Sequence, residues 1–443
     1  MKVSRLPKDP GPAGWNRLLP KPEPATPLEA DTTSDWLVIG GGFAGLAAAL
    51  RLSQLHEGDR ITVLDATRIA DGPAGRNSGF MIDLPHDLSH NDYAAAGDHT
   101  HEINTNRAGI AFAQEAVQTF GLGAEAFNPC GKINAAASTK GMKLNAEYSK
   151  HLNAIGEENE LLDAAEMERI TGTTYYKGGL FTPGTAIIQP ASFVRGVANG
   201  LRSNRVLIHE NSPVTELSRS GQTWRATTPK GSVSAPKVIL AVNGHLASFG
   251  HFTNRLLHVF TYASMTRALT EAEVGRLGGD PNWGVTPAHP MGTTVRRVSG
   301  TGGDRIVIRN RFTLDPKMEV TPARIASVGR DHDRAFAARF PMLNGVEMEH
   351  RWGGRLCLSR NSVQIIRELE PGLYSACCQN GLGTAKGTLA GMLAAELASG
   401  VESDLLQAMT RAEDPVRLPP APATWLGANA RMRLGEAQAG KDL

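Results

Sequence analysis

The chain has 443 residues and a formal net charge of +2, a length that fits two or three domains. Near-neutral charge, with no basic stripe interleaved with aromatics, argues against a nucleic-acid partner. No apolar run approaches the roughly 18 residues of a membrane span, the N-terminus lacks an apolar signal core, and four cysteines (Cys130, Cys357, Cys377, Cys378) make no disulfide framework, so a reduced, cytoplasmic setting is expected.

Residues 1–30 form a Pro-rich arm (Pro7, Pro10, Pro12, Pro20, Pro22, Pro24, Pro27) that supports neither a helix nor a core strand. Trp15, Leu18 and Leu19 favour its lying on the globule.

Residues 36–65 are the most informative stretch. Leu37, Val38 and Ile39 make the short apolar run of a strand buried on both faces. Gly40, Gly42 and Gly45 follow as G-x-G-x-x-G, then an Ala-rich helix, a Gly58-Asp59 turn, a second strand over 61–64, and Asp65. The first glycine permits the tight turn, the second lets a pyrophosphate reach the backbone, and the third lets the helix pack close to the sheet. The helix N-terminus offers free N–H groups to phosphates, and Asp65 stands where an acid holds a ribose hydroxyl. The motif alone leaves NAD and FAD both open.

A turn-rich loop, Asp71 to Gly79, follows and is placed to cover a bound dinucleotide. Helices are expected over 102–120, 140–155, 164–170 and 191–203, the last with Phe193, Val194, Val197 and Leu201 at helical spacing. Strands at 206–209, 214–217, 223–228 and 231–235 make a meander leading to a buried strand over 237–242 and the turn Asn243-Gly244. That arrangement suits a flavin-type dinucleotide domain better than a simple NAD domain. An arginine-rich block, 255–350, has strand candidates at 258–267, 293–298 and 306–312 and a helix over 322–340, with Thr321 as N-cap and Pro322 at its first position. A second strand–glycine turn–helix unit closes the pattern: Gly372–Cys378, Gln379–Gly387 and Thr388–Ser399. Its helix N-terminus would suit the anionic side of a reduced flavin ring; a plain helix packed on the sheet is the alternative.

The ordered set of motifs resembles the D-amino-acid-oxidase-like family of FAD-dependent amine oxidoreductases, in particular its gamma-glutamylputrescine oxidase and sarcosine/glycine oxidase branches. The residues that carry the resemblance are Gly40–Gly45, Gly75-Arg-Asn-Ser-Gly79, Ile187-Ile-Gln-Pro190, Val238–Gly244, Arg351-Trp-Gly-Gly354, Asn380–Gly387, the Pro-rich arm and Leu418–Gly427. It departs from the family in having Asp65 where Glu is usual. Cys377 and Cys378 do not match a flavin-linkage context, which points to noncovalent FAD.

The resemblance implies an α/β fold in which a discontinuous, glutathione-reductase-like FAD domain (31–85, 186–250, 350–400) is interleaved with an α+β substrate domain on a mixed or antiparallel sheet (86–185, 251–349), with residues 401–443 as a tail packed on the globule. It implies a small-molecule amine oxidised at the flavin, an imine that hydrolyses, and dioxygen as the electron acceptor yielding hydrogen peroxide; a non-oxygen acceptor is the alternative. No obligatory side-chain acid or base is required. Expected cofactor contacts are Gly40, Gly42, Phe43, Ala44, Gly45, Asp65, Ala66, Arg76, Asn77, Ser78, Val214, Asn243, Gly244, Gly381, Leu382, Gly383 and Thr384. Arg76 is either at the cofactor or a surface charge, Lys386 near the ring or solvated, and Trp352 at the active-site edge or in the core. For a substrate anion the prospects are Arg297, Arg309 and Arg311, since strand alternation puts the last two on one face and a guanidinium binds a carboxylate bidentately. His245, His258 and His289 are further candidates to polarise a substrate, or structural histidines.

Overall fold

A computed structural model describes residues 1–85 and 99–443; the opening residues of the expected substrate segment, 86–98, lie outside the described residues. The first sheet has six strands, in the order Val206–His209, Ile61–Leu64, Trp36–Ile39, Lys237–Leu240, Leu373–Cys377 and Ile365–Glu370. The first five run parallel and the last is antiparallel. Every residue of the Trp36–Ile39 and Ile61–Leu64 strands is buried, as strands covered on both faces require. Against one face pack the two helices that follow the glycine turns, Phe43–Leu55 and Ala385–Ser399. Their small residues let the backbones approach closely, so that a Cβ on Gly391 would stand 1.9 Å from the Ala44 carbonyl oxygen.

The second sheet has eight strands, in the order Met348–Ser359, Leu256–Thr266, Arg305–Leu314, Thr294–Val298, Trp283–Pro287, Lys132–Ala136, Gly178–Thr182 and Glu160–Leu162. It is mixed: the Trp283–Pro287 and Lys132–Ala136 pair is parallel and the other pairs antiparallel. The helix Pro322–Arg339, capped by the Thr321 hydroxyl and opened by Pro322, covers it.

Two segments fall on the other side of the expected divisions. The strand Met348–Ser359 is an edge of the eight-stranded sheet, paired with Leu256–Thr266, although the division at 350 assigns most of it to the dinucleotide unit. The helix Thr100–Phe120, assigned to the substrate unit, packs on Ala385–Ser399; a Cβ on Gly109 would lie 2.5 Å from the Ala385 carbonyl oxygen. At the C-terminus, the helix Ala421–Ala439 was not anticipated. Asp442 accepts a hydrogen bond from the Ala137 N–H (2.7 Å) and its carbonyl from the Thr293 N–H (2.8 Å), which ties the tail to the eight-stranded sheet. Among the described residues no helix is long and apolar enough to cross a membrane, and no cluster of His, Cys, Asp and Glu suits a metal ion.

Candidate active site

A continuous cleft, partly open to solvent, runs between the two sheets. One end is bounded by Leu64, Asp65, Ala66, Thr67, Arg68, Ser212 and Val214, the middle by Gly40–Ala44, and the far end by Phe80, Ile82, Thr286, Thr294, Arg309 and Gly381–Thr384.

The glycine turn is built for this cleft. Gly40 has φ +108°, and a Cβ there would meet the Ala241 carbonyl oxygen at 2.5 Å. A Cβ on Gly45 would lie 1.7 Å from the Gly40 carbonyl oxygen, so Gly45 serves close helix–turn packing and does not itself line the cleft. The helix Phe43–Leu55 has Gly42 as N-cap and no side-chain cap; the helix Ala385–Ser399 likewise lacks one. The N-terminus of Phe43–Leu55 therefore keeps its first N–H groups for another acceptor, whereas at Ala385–Ser399 the Lys386 N–H already donates to the Leu382 carbonyl (3.0 Å). Asp65 accepts from the Gly41 N–H (2.8 Å), the Thr67 N–H (2.8 Å) and the Thr67 hydroxyl (3.0 Å). Burial raises its carboxyl above the usual value against those hydrogen bonds. A cleft with two helix ends that lack a side-chain cap and a partly buried carboxylate at one extremity fits a dinucleotide laid across it.

The loop after the second strand lines the cleft with Asn77 and Ser78. The Asn77 amide is used inside the loop: its NH₂ donates to the Ala74 carbonyl (2.7 Å) and its oxygen accepts from the Gly79 N–H (2.8 Å). Asn243, at φ +48°, lines the cleft and accepts from the Cys378 N–H (3.1 Å), which joins the turn after Lys237–Leu240 to the second glycine turn. Gly244 packs instead against His258 and Cys357, and a Cβ there would meet His258 Nδ1 at 3.0 Å. The Thr384 hydroxyl donates to the Phe80 carbonyl (2.6 Å), and Leu382 packs with Phe80, Ile82 and Ile187.

Arg76 is not at the cleft. Its guanidinium is a buried strut that donates to the carbonyls of Asp71 (2.7 Å), Gly353 (3.2 Å) and Gly11 and stands 4.0 Å from Asp9. Trp352 is fully buried: its indole N–H donates to the Arg76 carbonyl (2.9 Å) and its ring meets Trp15 edge-on. Lys386 pairs with Glu102 at 2.7 Å, drawn there by the helix Thr100–Phe120. Arg297 pairs with Asp304 (3.3 Å) and donates to the Gly278 carbonyl, on the outer face of its strand. Arg311 is held by Asp331 (2.8 Å) and Glu436 (2.7 Å).

Only Arg309 of the three arginines lines the cleft, with its guanidinium 4.5 Å from the centre of the Phe312 ring. Alternation fails between Arg309 and Arg311 because the strand bulges at Arg311, φ +61°: Thr261 pairs with Phe312 and Tyr262 with Asn310, leaving Arg311 unopposed. His245 borders the cleft, its Nε2 3.0 Å from Arg355 Nη1; burial and Arg355 push it down to about 3, so it is a neutral acceptor. Burial also lowers His258 and His289 to about 4.

Sequence reasoning missed a polar row on the cleft-facing side of the eight-stranded sheet. Asn134 pairs with Thr286, Thr294 pairs with Arg309, and Thr286 and Thr294 lie one step past the Val285–Val295 pair. The row crosses four neighbouring strands, roughly 14 Å at a strand spacing of about 4.8 Å. The Thr286 hydroxyl donates to Asn134 Oδ1 (2.7 Å), and the buried Lys132 ammonium, pushed down to about 8 by desolvation, donates to the same oxygen. The alternating Lys132-Ile-Asn134 and the paired Thr293-Thr294 were the available signals.

The family model for FAD dependent oxidoreductases matches residues 35–397. The chain is 26% identical over 385 residues to gamma-glutamylputrescine oxidoreductase of Escherichia coli, covering 85% of this chain and 86% of that one. It is 25% identical over 389 residues to a probable oxidoreductase OrdL of Haemophilus influenzae, with 86% of each covered. The crystal structure of glycine oxidase from Geobacillus kaustophilus superposes with a TM-score of 0.70 at 18% identity, covering 86% of this chain and 100% of that one.

Proposed function

Since the chain belongs to the family of FAD-dependent oxidoreductases, we propose that it oxidises the C–N bond of an amine, a secondary amine or amino acid carrying an anionic group, to an imine that hydrolyses to a carbonyl compound and an amine. Bound FAD supplies the hydride acceptor. Gly40–Ala44 and the uncapped N-terminus of Phe43–Leu55 would hold its pyrophosphate. Asp65, Ala66 and Val214 would flank its adenosine, and Asn77, Ser78, Asn243 and Gly381–Thr384 its remainder. Attachment is noncovalent in this reading, because Cys377 donates its thiol to the Leu240 carbonyl (3.2 Å) and is raised to about 11 by burial.

The observation that carries the substrate reading is the polar row ending in Arg309. Arg309 would orient the anionic group, and Thr286, whose proton is directed to Asn134, would offer its free lone pair to a substrate N–H. Phe80, Ile82 and Leu382 form an apolar wall that keeps water from the reacting carbon. Dioxygen is the proposed acceptor and hydrogen peroxide the by-product, and the four free cysteines favour a cytoplasmic setting. The test is oxygen consumption and peroxide release on secondary amines, N-methyl amino acids, D-amino acids and polyamine conjugates, with a quinone dye in parallel. Turnover with the dye alone would replace the oxidase by a dehydrogenase, and no turnover of any amine would refute the substrate class.

A further inference from the structure

We propose that residues 3–9 of the Pro-rich arm are the outer wall of the cofactor site, so that docked arm and bound FAD hold each other in place. Val3, Arg5, Leu6, Pro7 and Asp9 line the same cleft as the glycine turn and Asp65. The segment is pinned on both sides of its crossing. Upstream, Lys2 bridges Glu216 on the meander, the Val3 N–H donates to the Thr215 carbonyl (2.9 Å) and the Ser4 N–H to the Ser248 carbonyl (2.9 Å). Downstream, Asp9 pairs with Arg355 at 2.9 Å and stands 4.0 Å from Arg76, with its side chain only 6% exposed. Beyond it Trp15 is fully buried and donates to the Asn77 carbonyl (2.8 Å), while Asn16 donates to the Ala70 carbonyl (2.7 Å).

The crossing between these anchors is weakly held. Leu6 is 36% exposed, the Arg5 guanidinium donates to the Pro316 carbonyl (3.2 Å) in an exposed hydrogen bond, and Lys8 meets Glu319 at 3.5 Å on the surface. Leu6, Pro7 and Lys8 are a proline and its two neighbours, so little chain entropy is lost when it docks. The chemistry of a strap follows. A dinucleotide in the cleft gives Val3, Leu6 and Pro7 a surface to pack on, and removing it leaves that apolar wall facing water. Conversely, a dinucleotide cannot leave sideways past residues 5–7 until one anchor opens. Asp9 is the anchor with the highest electrostatic stake, since without it Arg76 and Arg355 are buried together with like charge; both guanidinium groups are already lowered by burial.

The experiment uses the purified flavoprotein and two variants. Asp9→Asn weakens the downstream anchor; Leu6→Ser removes wall surface at a half-exposed position without touching an ion pair. FAD release on dilution is followed by the rise in free-flavin fluorescence, and trypsin cleavage after Arg5 and Lys8 is followed by mass, with and without excess FAD. Far-UV circular dichroism confirms that each variant is folded. At least 10-fold faster FAD release is expected in Asp9→Asn and a smaller acceleration in Leu6→Ser, with arm cleavage faster than in wild type and suppressed by added FAD. Release within twofold of wild type in both folded variants, or arm cleavage that added FAD does not change, overturns the proposal.

Discussion

Arg309 and Arg311 differ by two positions and by everything that matters for a substrate anion. Arg309 borders the cleft, whereas Arg311 does not line it and is turned to Asp331 and Glu436. Losing a desolvated partner of a bound anion costs about 2–5 kcal/mol, so Arg309→Ala should reduce kcat/KM on an anionic amine by roughly 30-fold or more and spare a neutral analogue. Arg309→Lys should recover part, since it keeps the charge without the planar fork. Arg311→Ala and Arg297→Ala should leave the ratio between the two substrates unchanged and lower the unfolding temperature instead. Steady-state kinetics on the substrate pair decide, and an equal loss on both substrates for Arg309→Ala would remove it from the anion site. The difference between the two arginines was not legible in the sequence. Alternation is a sound rule for a regular strand, but the bulge at Arg311 has no glycine to announce it. Arg76 and Trp352 misled for a related reason: both are near the right loops, yet their partners, Asp9, Gly11 and Trp15, lie in an arm whose path no local pattern encodes. Gly40, Gly42 and Asp65 were legible because strand, turn and helix are contiguous in the chain.

Elements assembled from contiguous sequence were therefore read well, and elements assembled across the chain were not. The strands Trp36–Ile39, Val206–His209 and Lys237–Leu240 announce themselves as apolar runs. The edge strand Met348–Ser359 does not, because its glycines and arginines interrupt any two-residue period. The two glycine-turn helices illustrate packing that the sequence hints at through small residues alone. Gly391→Ala should be strongly destabilising although alanine is the better helix former by about 1 kcal/mol, because its Cβ would lie 1.9 Å from the Ala44 carbonyl oxygen and must push the helices apart. A net loss of about 1–3 kcal/mol follows from overpacking of this kind, read as a lower urea midpoint; an unchanged or raised midpoint would show that the helices slide without strain. Gly42→Val tests the neighbouring turn by a different route. A Cβ at Gly42 meets only Ala74 Cβ at 3.4 Å, so the variant should fold while its side chain fills the approach of the pyrophosphate. The expected product is a folded, colourless protein. A yellow variant with one FAD per chain would show that residues 40–45 do not hold the phosphates.

Across the whole molecule, burial of neutral histidines makes stability depend on pH in a definite direction. His245 and His332 are pushed down to about 3, and His258 and His289 to about 4, each mainly by desolvation. They are spread over the cleft, the helix Pro322–Arg339 and the region against the C-terminal tail, so no single local opening relieves them. In the unfolded chain each titrates near 6.5. Between that value and the folded one, the unfolded state binds more protons, so stability is complete above about pH 6.5 and falls as the pH drops toward 4. The carboxyls of the partly buried Asp65 and the buried Asp442 are shifted upward, mainly by desolvation. They act in the opposite sense, favouring the fold as the pH falls through their raised values, and so moderate the loss at the acid end. His332 is the cleanest reporter, being 1% exposed with its Nδ1 2.7 Å from the Ser264 hydroxyl. One such group contributes a slope of up to about 1.4 kcal/mol per pH unit. Urea unfolding at pH 7.5, 6.5, 5.5 and 4.5 should show a midpoint that declines steadily below 6.5, and His332→Gln should decline less steeply while starting from a lower midpoint at pH 7.5. Parallel pH dependences in the two proteins would mean that His332 is protonated within the fold and that the acid sensitivity arises elsewhere.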